Sequence, residues 1–172
     1  TFEELEAFLT EKGFPKYRAD QVWGWIYRQK IGSFEEMNNV PEELVKVLTD
    51  NFKFDSMELV IKNVSEDGTM KFLYDLHDAN LIETVLMKHN YGMSACVTTQ
   101  VGCNIGCSFC ASGILKKHRD LSAGEIVGQI IKTEKDSGVR ISSIVVMGIG
   151  EPFDNYKNLI KFLQIVNHPK GL

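Results

Sequence analysis

Nowhere does the chain hold an apolar run long enough to cross a bilayer, and its first residues lack the basic-then-apolar pattern of a secretory leader. These absences predict a cytoplasmic protein with no membrane partner. Positive charge is in short supply: 19 Lys and Arg stand against 23 Asp and Glu, a formal net charge of −4. The acids gather towards the front, so a generic basic surface for nucleic acid is not evident. The one compact basic run is Lys116, Lys117, His118 and Arg119, which suits a solvated loop as well as an RNA contact. Cysteine is also scarce. Four cysteines in a cytoplasmic chain of 172 residues do not make a disulfide framework. Internal repeats and low-complexity tracts are absent. What remains is ordinary for a globular protein: 44% hydrophobic and 10% aromatic residues, enough for a true core and too much for disorder. The length suits one domain of ordinary size, or a small domain with part of a larger one.

Local signals divide the chain into stretches. Thr1 with Glu4 forms a capping box for a helix with Phe2, Leu5, Phe8 and Leu9 on its apolar face, stopped by Gly13 and Pro15. A second helix is expected from about Arg18 to Gln29, and a third from Pro41 towards Asn51, with Glu42 and Glu43 in its first turn. The Trp and Tyr residues of this stretch read as core rather than as a base-stacking platform. Met57–Asn63, Thr69–Leu76 and Leu81–Lys88 are β-rich and separated by turn chemistry, which predicts an antiparallel meander. From Met93 the rhythm changes. A strand over Ser94–Thr99 leads into a Cys- and Gly-rich loop over Val101–Lys117. Ser122 and Glu125 then cap a helix to about Ser137, Ile141–Met147 is an apolar strand, and Asn155–Val166 an amphipathic helix. Strand, helix, strand, helix with apolar strands predicts a parallel α/β sheet or barrel. The expected organisation is an N-terminal helical accessory domain over 1–55, a β meander over 56–92, and an incomplete α/β core over 93–172.

Cys103, Cys107 and Cys110 stand as Cys-x3-Cys-x2-Cys on a loop that directly follows a strand. Three thiolates so spaced can wrap one face of a cubane cluster and leave one iron open to a small chelating ligand. Gly102, Gly106 and Gly113 let the backbone curl closely around it. The competing reading is a Cys3His zinc knuckle completed by His118, which would make the chain a non-catalytic RNA-binding or interaction module. Against it, such sites usually pair their ligands two by two.

On this loop and spacing, the chain resembles the radical S-adenosylmethionine superfamily. The resemblance implies a [4Fe–4S] cluster whose open iron binds the amino and carboxylate groups of S-adenosylmethionine, and reductive cleavage of that cofactor to a 5′-deoxyadenosyl radical. Gly148-Ile-Gly150-Glu151-Pro152 lacks the third glycine of a dinucleotide fingerprint. A carboxylate on a glycine-loosened turn after a parallel strand is well placed for a ligand's ammonium. It resembles the superfamily's receiver for the cofactor's amino group, which implies binding roles for Gly150 and Glu151. The alternative is a turn opening a helix, with Glu151 favouring the helix dipole. By residue type alone, Cys96 reads as a small core residue and Glu83 as a solvent-facing strand residue.

Four longer stretches narrow the resemblance: Tyr17-Arg-Ala-Asp-Gln-Val-Trp-Gly-Trp-Ile-Tyr27, Ile82-Glu-Thr-Val85, Cys96-Val-Thr-Thr-Gln-Val-Gly-Cys103 and Met147-Gly-Ile-Gly-Glu-Pro152. With them the whole chain is similar to the first half of the bacterial dual-specificity methyltransferases that act on C2 of adenine in 23S rRNA and tRNA. The resemblance implies that one S-adenosylmethionine methylates a cysteine in the C-terminal part of the enzyme. A second is cleaved, its radical takes hydrogen from that methyl group, and the methylene radical adds to C2. Cys96 corresponds to the cysteine that helps resolve the protein–RNA covalent intermediate, and Glu83 to the proton acceptor. The expected partners are the two RNAs and an electron donor such as flavodoxin or ferredoxin, with the protein a monomer. A sibling group methylates C8 of the same adenine. The chain stops after the second β/α unit of the family's partial barrel, without the methyl-carrying cysteine, and begins at Thr1. The expectation is that this polypeptide alone does not methylate RNA.

Overall fold

The computed structural model describes residues 1–54 and 57–172. It divides into two compact units, Thr1–Asp55 with Leu163–Leu172, and Ser56–Phe162. The expected boundary between residues 55 and 56 lies outside the described residues.

In the first unit, α1 (Phe2–Glu11) opens at the expected capping box: Glu4 N–H donates to Thr1 Oγ1 at 3.3 Å, and the Glu4 carboxylate takes the terminal ammonium at 2.8 Å. Helices α2 (Tyr17–Tyr27) and α3 (Glu42–Asn51) follow, with a 3-10 turn over Phe34–Glu36 between them. Leu9, Ala19, Val22, Phe34, Met37, Leu44 and Leu48 form the core, drawn from all four pieces. Trp23 is core, as its residue type suggested, packing edge-on against Phe2 and beside Tyr27. Burial pushes the Tyr27 phenol up to about 12.

In the second unit, β1 (Glu58–Val64), β2 (Met70–Asp75), β3 (Leu81–His89) and β4 (Gly92–Cys96) form the meander. A short ladder of β5 (Gln100–Val101) and β6 (Arg119–Asp120), helix α4 (Ala123–Ser137), strand β7 (Ile141–Val145) and the first part of helix α5 (Tyr156–Val166), whose residues from Leu163 on belong to the first unit, complete the order. The meander and the α/β segment share one sheet, in the order β1-β2-β3-β4-β7. β4 runs antiparallel to β3 and parallel to β7. The connections explain this mixture. A tight turn after β3 can only return antiparallel, whereas the α4 crossover brings β7 back in the same direction as β4. The strand expected to reach Thr99 ends at Cys96, where the chain exchanges sheet neighbours.

Alternation fixes the two faces of the sheet. Phe72, Tyr74, Ile82, Thr84 and Leu86 are buried on the side that meets Ile126, Gln129, Ile130 and Thr133 of α4. Tyr74 Oη and Thr133 Oγ1 lie 3.1 Å apart across that layer. Glu83, Val85 and Met87 alternate to the opposite face. Among the described residues no helix is long and apolar enough to cross a membrane.

Candidate cluster loop and cofactor site

The segment leaving β4 is fastened on both sides before it reaches the cysteines. Val97 N–H donates to Val145 O at 2.9 Å, Gly148 N–H to Val97 O at 3.0 Å, and Thr99 N–H to Ile149 O at 3.0 Å. On the other side, the Gln129 amide from α4 acts as a substitute strand. Its Oε1 accepts from Thr98 N–H at 2.8 Å and its Nε2 donates to Thr98 O at 2.8 Å. Asn155 Nδ2 donates to Thr99 O at 2.9 Å and to Leu121 O at 2.7 Å. Three segments thus converge on Thr98 and Thr99 through buried amides, which the low local dielectric makes strong.

Beyond this anchorage the cysteine loop is closed at its neck. His118 N–H donates to Val101 O at 2.7 Å, Cys103 N–H to Leu115 O at 2.9 Å, and Lys117 N–H to Asn104 Oδ1 at 2.9 Å. Gly102 makes this closure possible: at φ +73°, an added Cβ would lie 2.1 Å from Lys116 O. Within the loop, Cys110 N–H donates to Cys107 O at 3.1 Å, and a 3-10 turn over Ala111–Ile114 follows. Cys103 is half-buried, while Cys107 and Cys110 are exposed. Phe109 is 91% and Ile114 86% exposed, so the loop presents apolar side chains beside its thiols.

Among the described residues no three His, Cys, Asp or Glu side chains are gathered around a common point as a ready metal cage, with or without His118. A single zinc ion would need its thiolates drawn to about 2.3 Å from one centre. A polynuclear cluster spaces its thiolates more widely and needs only three from the protein when one iron stays open. Three thiols on one neck-closed loop, two of them exposed, are a donor set of the number and kind that a cluster with one open iron takes.

Much of the neighbouring basic run is internally neutralised. Lys117 Nζ meets Asp120 Oδ1 at 2.8 Å, and Arg119 meets both Glu125 and Asp78 at 2.7 Å. Burial pushes the Glu125 carboxyl up, but bonds from Arg119 and from the Ser122 N–H and hydroxyl outweigh it and leave it below its ordinary value. The sequence showed Glu125 as a cap; its second partner, Arg119, was not legible.

After β7 the chain turns through Gly148–Pro152. A Cβ on Gly148 would lie 2.6 Å from Thr98 Oγ1, and Gly150 has φ +106°. Glu151 caps a 3-10 turn over Pro152–Asn155, its Oε1 accepting from Phe153 N–H at 3.1 Å. The turn-opening role that was the alternative for Glu151 is thus present. Its own N–H donates to Gln100 Oε1 at 2.9 Å.

Cys96 lies at the end of β4, opposite Val85 on one side and Val145 on the other. Burial pushes its thiol up, against a smaller opposing pull from the Met147 backbone. Glu83 precedes Val85 by two residues, so alternation puts Glu83 and Cys96 on the same face of the sheet, away from α4. Glu83 is paired with Lys71 at 2.9 Å, both partly exposed. Lys71, Gln100, Gln129 and Asn155 were not singled out from sequence. For Gln129 a signal existed, because it shares the apolar stripe of Ile126, Ile130 and Thr133.

A family model for the ribosomal RNA large subunit methyltransferase N-terminal domain matches residues 1–58. Over its whole length the chain is 73% identical to the probable dual-specificity RNA methyltransferase RlmN of Acholeplasma laidlawii, covering 51% of that protein. It is 56% identical to the protein of the same name from Oceanobacillus iheyensis, covering 50% of it. The crystal structure of a radical SAM methyltransferase from Sphaerobacter thermophilus superposes with a TM-score of 0.90 at 37% identity, over 99% of this chain and 51% of that one. The chain spans about half the length of the curated relatives it matches. Residues 1–58 thus resemble the ribosomal RNA large subunit methyltransferase N-terminal domain, and the chain as a whole is similar to about half of the dual-specificity RNA methyltransferases named RlmN.

Proposed function

We propose that this chain is part of a radical S-adenosylmethionine enzyme that methylates C2 of adenine in 23S rRNA and tRNA by way of a methyl-cysteine intermediate. The carrying observation is the three-cysteine loop, closed at its neck and tied to the Gly150-Glu151 turn through the segment leaving β4. Cys103, Cys107 and Cys110 would hold a [4Fe–4S] cluster. When bound there, that cluster supplies the electron for cleaving S-adenosylmethionine, delivered by a flavodoxin- or ferredoxin-type donor.

The chain's own residues have separate tasks. Gly150 lets the turn pass close to the Gln100 side chain, and Glu151 offers a carboxylate to the N–H of the cofactor's amino group. Cys96, on a sheet face it shares with Glu83, is the thiol that helps resolve the protein–RNA adduct. Burial pushes its thiol above the ordinary value, which disfavours the thiolate. Glu83 accepts the proton lost from the adenine, and Lys71 orients its carboxylate. The protein works in the cytoplasm, where its RNA substrates are.

The test is anaerobic reconstitution with iron and sulfide, then electron paramagnetic resonance of the reduced protein with and without S-adenosylmethionine. A [4Fe–4S] signal that shifts on adding the cofactor supports the reading. Tightly bound zinc with no cluster overturns it in favour of a structural module. Nucleoside analysis of RNA modified by the intact enzyme separates C2 from C8 methylation.

A further inference from the structure

Gln100 is completely buried, yet both ends of its side-chain amide are used. Its Nε2 donates to Asp120 Oδ1 at 2.8 Å, and its Oε1 accepts from Glu151 N–H at 2.9 Å. Its own backbone N–H donates to Ile149 O at 3.3 Å, and in the β5–β6 ladder Gln100 stands opposite Asp120. Three segments meet on this one residue: the strand entering the cysteine loop, the strand leaving it, and the turn after β7. The turn sits directly on the Gln100 side chain, since a Cβ on Gly150 would lie 2.6 Å from Gln100 Cβ and 2.7 Å from Cγ. The amide has only one workable orientation. Reversed, it would set its NH2 against the Glu151 N–H and its oxygen against the Asp120 carboxylate. Glutamate at this position would likewise oppose two carboxylates, at the 2.8 Å now bridged by a hydrogen bond.

We infer that Gln100 is a positioning residue for S-adenosylmethionine. It holds the Gly150-Glu151 turn at a fixed offset from the cysteine loop, so that the carboxylate receiving the cofactor's amino group and the loop that would carry the open iron binding that same amino group stay in register. The inference rests on the reading of that turn as the ammonium receiver. Asp120 acts one step further out, fixing which way the amide points, and Lys117 Nζ at 2.8 Å from the same Oδ1 steadies Asp120 in turn.

Gln100→Glu breaks the arrangement by polarity with little change of shape. Combining it with Asp120→Asn reverses the bond. The amide introduced at position 120 can donate to one oxygen of the carboxylate introduced at position 100, while the other oxygen still accepts from Glu151 N–H. Two measurements read the effect. The first is anaerobic calorimetric titration of the oxidised, cluster-loaded protein with S-adenosylmethionine, alongside its iron and sulfide content. The second is hydrogen exchange of the peptide spanning Gly150–Phe153 in cluster-free protein. The single variant is expected to keep its iron and sulfide, bind the cofactor about tenfold more weakly and exchange faster in that peptide. The double variant is expected to recover both. A single variant that binds and exchanges like the unsubstituted protein overturns the inference. Loss of iron and sulfide together with cofactor, unrescued by the double variant, overturns it in favour of a purely structural role. If the unsubstituted protein takes up the cluster but binds no S-adenosylmethionine, the reading of the turn fails, and the positioning role falls with it.

Discussion

Gln129→Leu removes one side chain of nearly the same volume and asks what the substitute strand contributes. Gln129 is fully buried. Its amide supplies partners for Thr98 N–H and Thr98 O, both at 2.8 Å, and accepts from Thr84 Oγ1 at 2.9 Å. Leucine fills the space but leaves two buried backbone groups and one hydroxyl without that partner. An orphaned buried polar group costs about 1–3 kcal/mol. The Thr84 hydroxyl can rotate, and leucine is cheaper to bury than an amide, so the net loss should be about 3–5 kcal/mol. Against a typical domain stability of about 5–15 kcal/mol, that is a large fraction. With a urea dependence of about 2 kcal/mol per molar, the midpoint should fall by roughly 2 M in denaturation followed by circular dichroism. Thr84→Val is the control. It deletes the hydroxyl while Gln129 keeps both bonds to Thr98, so its cost should stay below about 1.5 kcal/mol. A Gln129→Leu loss under about 1 kcal/mol, with an unchanged slope, would refute the reasoning, since the Thr98 backbone would then have other partners at hand.

Gly150→Ala and Gly106→Ala separate steric conflict from backbone strain. Both glycines have positive φ, but a Cβ on Gly106 meets open space, whereas one on Gly150 strikes Gln100. The Gly106 variant should lose about 1 kcal/mol in thermal melts, and the Gly150 variant at least about twice that together with cofactor binding. Glu125 supplies a pH dependence. Its folded value lies below the ordinary 4.5, so its contribution is complete above 4.5 and is lost as pH falls through the lower folded value. Urea midpoints of Glu125→Gln should therefore converge on those of the unsubstituted protein as pH falls through that window, and a constant gap would count against the Arg119 pairing. Finally, Cys96 in cluster-free protein should alkylate with iodoacetamide more slowly than Cys107, as mapped by mass spectrometry. Burial raises the Cys96 thiol, whereas Cys107 is exposed, and equal rates would contradict that account.

What was legible in the sequence is what depends on near neighbours. The caps at Thr1 and Ser122 each pair with a Glu three residues on, and Gly138 ends α4 at φ +73°, so these features follow from local chemistry. The cysteine spacing is local too. Features set by distant backbone were not legible. Gln100, Gln129 and Asn155 all serve main-chain groups or side chains that only the finished fold brings near. Lys117 and Arg119 looked like a solvated basic run because their partners were not read as such: Asp120 and Glu125 nearby in sequence, and Asp78 far from it. The continuation of the antiparallel meander into β4 is not legible for a related reason: periodicity reports which face a residue takes, not which strand lies beside it.

Glu151 shows how an either/or in the sequence can dissolve in the geometry. Its two readings were a turn-opening residue and a receiver for a ligand's ammonium. The structure realises the first, with Oε1 accepting from Phe153 N–H at 3.1 Å while the residue's own N–H is held by Gln100. That bond does not compete with the proposed second role. A carboxylate oxygen has room for more than one donor, and a carboxylate leaves a second oxygen as well. Capping its own turn removes rotamer freedom from a side chain that would otherwise have to be ordered when a ligand arrives, so the cost is met on folding rather than on binding. A local structural bond is thus what a ligand-facing carboxylate on a glycine-loosened turn requires. It follows that Phe153→Pro, which removes the donating N–H and also disfavours the helical conformation of Pro152 inside the turn, should weaken S-adenosylmethionine binding without changing the cluster's iron content. Unaltered affinity in that variant would show that the cap and the ammonium site are independent.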